Sequence, residues 1–149
     1  MKIDKLIPVA RSIAFLSKDR VKVGAIICSD DGAIVSTGFN GFPRGICDYD
    51  DRINNEEVRL KYIVHAEANA IIQAGRLGTN VIGKNLIVWG RAICSECTKF
   101  AIQAGISKIY TPSVIAGSSL KWTIHRINSR ALCKEAGVIV IEYNQNDIF

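Results

Sequence analysis

The sequence is short of several things, and each shortage removes a class of protein. No apolar run approaches the roughly 20 residues needed to cross a bilayer. The opening MKIDKLIPVARSIAFLSK has neither the apolar core nor the small-residue cleavage site of a secretory signal, so a cytoplasmic location is expected. No dense Lys/Arg tract occurs: the net charge of +5 is scattered over 149 residues, and aromatics make up only 7%. Polynucleotide grooves use clustered cations and stacking aromatics, so nucleic acid is not an expected partner, whereas a small anion suits the charge. Repeats, low-complexity stretches and linkers are also missing. The chain therefore reads as one domain, 1–149, long enough to bury a core. Histidine is scarce, with only His65 and His125. The cysteine count of five is odd, which argues against a disulfide framework in such a chain.

What is present is a regular alternation of elements. Ile3, Leu6, Ile7, Ala10, Ile13 and Ala14 recur at helical spacing, predicting a helix over 3–18 that Pro8 delays or kinks. VGAIICS and AIVSTGFN read as two strands joined by the hairpin turn SDDG. From Gly38 to Asn55 the chain is turn-rich, a long loop of the kind that carries function. Then come a short helix in EEVRLKYI, a helix in HAEANAIIQAGRLG and a strand in KNLIVWG. A helix in CSECTKFAIQAG, a strand in ISKIYT and a connector in PSVIAGSS follow. The chain closes with a helix in LKWTIHRINSRALCKEAG and a strand in VIVIEY. The order αββαβαβαβ predicts an α/β fold of three layers, α/β/α, around a mixed sheet of about five strands.

Chemistry concentrates in three places. Cys94 and Cys97 lie three apart at a predicted helix start, so their side chains share a face, and His65 begins another helix. Zinc favours Cys and His ligands, and a helix N-terminus favours thiolates. Three protein ligands leave the fourth tetrahedral position to water, which is the catalytic pattern. Two thiolates cancel the charge of Zn²⁺, so a nearby base matters more, and Glu67 is the candidate. The plainer readings are a redox C-x-x-C pair, or a structural zinc with Cys47 as fourth ligand. Cys28 and Cys133 lie in apolar segments and read as core. His125, next to Arg126 in the last helix, reads as a surface or satisfied histidine.

The combination of H-x-E, a βα unit and C-x-x-C is the signature of zinc-dependent nucleobase deaminases. The chain resembles the cytidine and deoxycytidylate deaminase superfamily over almost its whole length. It is most similar to the deoxycytidylate (dCMP) deaminases, through GFNGFPRG at 38–45, RLKYIVHAEANAI at 59–71 and CSECTKFAIQAGI at 94–106. The resemblance implies the deaminase fold and one catalytic Zn²⁺ on His65, Cys94 and Cys97, with Glu67 moving protons. It implies Asn40 on the sugar hydroxyl and the backbone of Ala66 facing the pyrimidine. Hydroxide adds at C4 and ammonia leaves, turning dCMP into dUMP. It further implies a homo-oligomer, hexamer or dimer, with dCTP and dTTP as effectors at a site including Arg44.

Alternatives on the same signature are a deaminase of another amino-base (a nucleoside, guanine or transfer-RNA adenosine) and a non-catalytic nucleotide-binding relative. Three departures from the family pattern stand out. Ile93 occupies the position of the usual proline before the first zinc cysteine. No aromatic follows Tyr110 until Trp122. The histidine pair of a second zinc site is missing. For a substrate phosphate the candidate cations are Arg44, Arg52, Arg59, Lys61 and Arg91, with Arg91 close in sequence to the metal ligands.

Overall fold

The alternation read from the sequence appears in a computed structural model as one five-stranded sheet flanked by helices. The structure describes residues 3–114 and 117–147. Helix α1 (Ile3–Ala14) ends four residues short of the expected span. It passes through Pro8, whose carbonyl accepts the Ser12 hydroxyl. Strands β1 (Gly24–Cys28) and β2 (Ile34–Phe39) form the predicted hairpin, with Gly32 at φ 89° in its turn. The long loop is not structureless: it carries a short helix, α2 (Asp50–Ile53), ahead of α3 (Glu56–Tyr62). Next come α4 (Ala66–Leu77), β3 (Asn85–Trp89), α5 (Ser95–Ala104) and β4 (Lys108–Pro112). Helix α6 (Leu120–Ala136), β5 (Ile139–Tyr143) and a 3-10 turn (Gln145–Asp147) complete the described chain. Residues 115 and 116 of the expected connector lie outside the described residues.

The strand order is β2-β1-β3-β4-β5, antiparallel across β2-β1-β3 and parallel across β3-β4-β5. The sheet is therefore mixed, as the opening hairpin followed by αβ repeats predicts. Alternation along the strands separates two cores. Ala25, Ile27, Leu86, Val88 and Ile109 face α4, α5 and α6, while Ile26, Cys28 and Ile87 face α1. Each large buried aliphatic is worth roughly 1.5–3 kcal/mol. Helices on both faces give the three layers. Cys28 and Cys133 are buried in these cores as expected, and no disulfide links the five cysteines. No described helix is long and apolar enough to cross a membrane.

The outer strand β5 is tied to α6 by charge. Glu142 accepts two bonds from Arg126, at 2.8 and 3.2 Å, and one from Arg130 at 2.6 Å. Burial alone would raise its carboxyl, but the two guanidinium groups outweigh it and hold it below the ordinary carboxylate value. A lowered carboxylate stabilises the fold above its unfolded value of about 4.3, and that contribution disappears as pH falls through the folded value. Glu142→Gln is accordingly expected to cost about 0.5–1 kcal/mol at pH 7 in urea unfolding. The gap from wild type should close as pH drops below about 4; a gap indifferent to pH would refute the assignment.

Candidate active site

Two helix starts converge on the face of the sheet that carries α4 and α5. At the first, Gly38 of β2 lies so close to α4 that a Cβ there would stand 2.3 Å from the Ala66 carbonyl and 2.4 Å from the Ala70 amide. Only glycine permits that approach. A paired bridge between Gly41 and Val64, N–H to O at 3.1 and 2.8 Å, delivers the chain into the helix with His65 as its N-cap. At the second, Cys94 is the N-cap of α5, and its Sγ accepts the Cys97 amide at 3.4 Å. Its carbonyl accepts both the amide of Thr98 at 3.0 Å and its hydroxyl at 2.9 Å. That hydroxyl lies 2.7 Å from Ser129 of α6. The cysteine pair is thus anchored by three buried hydroxyl and backbone groups on two helices.

The result brings His65 Nδ1 within 3.5 Å of Cys94 Sγ and 3.4 Å of Cys97 Sγ. A tetrahedral ion with bonds of about 2.3 Å to sulfur and 2.0–2.1 Å to nitrogen would separate those atoms by about 3.5 Å. The triad is the one group among the described residues whose ligand atoms lie close enough to hold a metal, all within 4.8 Å of one another. Cys47 is exposed and lies outside it, so the four-ligand structural site is not built. The thiols are coupled. The hydrogen bond with Cys97 holds the Cys94 thiol well below its ordinary value, with His65 adding to the effect. The same bond pushes the Cys97 thiol up, and burial adds to it. Two thiols held this close resist ionising together, so a thiolate pair calls for a cation, which suits a divalent metal.

Glu67, two residues into this arrangement, is 3% exposed. Burial pushes its carboxyl up to about 7, with His65 pulling the other way. A carboxyl poised there accepts and releases protons at neutral pH. His65, Cys94 and Glu67 open on a cavity of about 490 Å³, the size of a small-molecule site. Ala66 is buried on its wall, in the first turn of α4, where backbone N–H groups have no intrahelical partner. Asn40 also lines it and is buried; its Nδ2 donates to the Val21 carbonyl at 2.7 Å and its Oδ1 accepts the Val23 amide at 2.9 Å. One Nδ2 hydrogen is left over. Arg91 lines the cavity, but Arg44 does not. Arg44 bonds Gln73 at 3.0 Å in a separate groove between Phe42, Pro43 and Ile72.

Several wall residues escaped the sequence reading. His125 is satisfied, as expected, and half-buried: its Nδ1 accepts the Ser95 amide at 3.2 Å and lies 2.9 Å from the Ser95 hydroxyl, on the cavity wall. Accepting at Nδ1 leaves the neutral ring's proton on Nε2. Lys121 and Trp122 line the same wall. Their spacing from His125, i+4 and i+3, was the available signal, since those offsets share one face of a helix. Opposite in charge pattern is the buried ion pair of Asp19 with Arg59, at 3.2 Å. Ile93 also finds a purpose. It is buried in the core, and its amide donates to the Thr111 hydroxyl at 2.9 Å. A proline there would have no hydrogen to give.

A His-Cys-Cys cluster able to hold a metal beside a buried glutamate, on an α/β/α fold, fits the zinc-dependent deaminases of the nucleobase type. Residues 2–112 match the family model of the cytidine and deoxycytidylate deaminase zinc-binding region, and the chain belongs to that family. It is 36% identical to a protein of Aliivibrio fischeri described as an uncharacterized deaminase, over 88% of this chain and 86% of that one. With the deoxycytidylate deaminase of Mus musculus it shares 34%, over 85% and 73% of the two chains. With that of Homo sapiens it shares 36% over 66% of this chain, which spans only 59% of the human enzyme. Among solved structures, dCMP deaminase from the cyanophage S-TIM5, in complex with dCMP and dUMP, superposes with a TM-score of 0.71. That pair is 26% identical and covers 95% and 96% of the chains.

The Thr111 contact yields a test. Ile93→Pro matches the usual family residue, yet it takes away the donor to a buried hydroxyl whose other bond is a long one, 3.5 Å to the Pro112 carbonyl, and is expected to lower stability by about 0.5–1.5 kcal/mol. Adding Thr111→Val removes the under-satisfied hydroxyl and should recover much of the loss in thermal unfolding. A stabilised single variant would contradict this account.

Proposed function

We propose that this chain hydrolyses dCMP to dUMP and ammonia, as a single deaminase domain with one zinc ion on His65, Cys94 and Cys97. The observation that carries the reading is Glu67, buried beside a three-ligand cluster that is one short of a tetrahedral set. Zinc, when bound, supplies the Lewis acidity that lowers the pKa of a water toward about 7. The chain's own residues do the rest. Glu67 takes a proton from the attacking water and passes it to the pyrimidine; the oxygen adds at C4, and the amino group leaves as ammonia with a second proton. The backbone at Ala66 faces the ring, and the remaining Nδ2 hydrogen of Asn40 reaches the sugar hydroxyl. Similarity to enzymes named deoxycytidylate deaminase, and to one solved with dCMP and dUMP, supports the choice of base and sugar.

Regulation and assembly extend the reading. The groove holding Arg44 is the effector site for dCTP and dTTP, supported by its separation from the metal cavity. A homo-oligomer, hexamer or dimer, is supported by apolar side chains left open near that groove, Leu16 at 61% and Ile72 at 48% exposure. Cysteines without disulfides suit a cytoplasmic location.

Glu67→Ala is expected to keep about one zinc per chain while ammonia release from dCMP falls by about 10²–10⁴-fold. Near-normal turnover would sink the mechanism, and activity confined to guanine, deoxycytidine or transfer RNA would overturn the substrate. Titrating dCTP and dTTP at low dCMP should raise and lower the rate respectively, with Arg44→Ala blunting both. Indifference to both nucleotides would remove the effector site.

A further inference from the structure

The five cations offered by the sequence for a substrate phosphate are not equal once placed. Arg52 donates to the Cys47 carbonyl at 2.8 Å and lies over the ring of Tyr62. Lys61 pairs with Glu57 at 2.9 Å. Arg44 belongs to the other groove. Arg59 lines the metal cavity, but its guanidinium is held by the buried carboxylate of Asp19. Glu56 lines the cavity from the same helix, so the α3 wall offers a phosphate little net attraction.

The opposite holds on the wall built from the β3–α5 loop and α6. Arg91 and Lys121 both line the cavity, and neither forms an ion pair among the described residues. The guanidinium of Arg91 lies 5.4 Å from the centre of the Trp122 ring. Stacking holds one face of the planar group and leaves its donor edge available for bidentate contact with an oxyanion. Lys121 adjoins Trp122 in the first turn of α6 and lines the same cavity as His65 and Cys94. Glu96 also lines this side of the cavity, but Lys99 pairs with it at 2.8 Å, so Arg91 and Lys121 leave the wall net basic.

We propose that Arg91, braced on Trp122, and Lys121 form a 5′-phosphate clamp that makes a nucleoside monophosphate, not a nucleoside, the ligand of this cavity. The clamp rests on the deaminase reading for the identity of the base. A fork and a point charge from two different segments complement a dianionic phosphate, with its several acceptor oxygens. Trp122 has no phosphate contact of its own; it is a positioning residue for Arg91.

The test uses the zinc-loaded full chain and two product ligands, dUMP and deoxyuridine, titrated calorimetrically. Wild type should bind dUMP at least about 100-fold more tightly than deoxyuridine. Arg91→Ala and Lys121→Ala should each weaken dUMP about 10-fold and together about 100-fold, leaving deoxyuridine within about twofold. Arg91→Lys should recover part of the loss, and Trp122→Leu should weaken dUMP without touching deoxyuridine. Unaltered dUMP affinity in the double variant, equal losses for both ligands, or no wild-type preference for dUMP would each overturn the clamp. Ammonia release from dCMP and deoxycytidine, measured alongside, separates the two readings. A protein that binds dUMP with this variant pattern but deaminates neither compound keeps the clamp and loses the proposed reaction.

Discussion

The meeting of one imidazole nitrogen with two thiols, 3.4–3.5 Å apart, is the constraint to which much of the fold answers. The three atoms come from two helix starts separated by a strand, so neither helix can shift without opening the cluster. Gly38 lets β2 press against the first turn of α4, and the Thr98–Ser129 hydroxyl pair locks α5 to α6 directly behind Cys94. Thiols this close resist double ionisation, so without a cation the pair retains a proton. Folding thus prepares a site whose electrostatics favour a divalent ion.

The cavity in front of that cluster is asymmetric. On one side Asp19 neutralises Arg59, and Asn40 spends most of its hydrogen-bonding capacity clamping residues 21–23. On the other, an aromatic ring braces Arg91 and a backbone amide holds His125, while Lys121 rises from the first turn of α6 without a carboxylate partner among the described residues. Burial raises Glu67 between these walls. A neutral, structured wall and a basic wall around a buried carboxyl suit a ligand with one polar, uncharged end and one anionic end.

The departure at Ile93 shows how such a site absorbs a change next to a ligand. Proline at that position would restrict the backbone ahead of Cys94 through its ring. Here the restriction comes from a hydrogen bond to Thr111 on the neighbouring strand and from a side chain buried among α4, α5 and the sheet. The constraint has moved from covalent geometry to packing, which makes Thr111 as much a part of the ligand loop as Ile93.

Sequence by itself determined the element order, the mixed sheet and the grouping of His65, Cys94 and Cys97. Periodicity and turn residues are local, and Cys94 and Cys97 share a face wherever a helix begins at that point. Glu67 was legible for the same reason, being two positions from His65. It also signalled Arg91 by its nearness to Cys94, though not what distinguishes it from four other cations. That distinction, the placing of His125 and Lys121 on the cavity wall, the α2 turn inside the long loop and the exclusion of Cys47 were decided by tertiary structure alone. Each depends on which distant group a side chain meets, Asp19 for Arg59, Trp122 for Arg91 and Ser95 for His125, and such partners are set by how helices dock on the sheet, not by spacing along the chain.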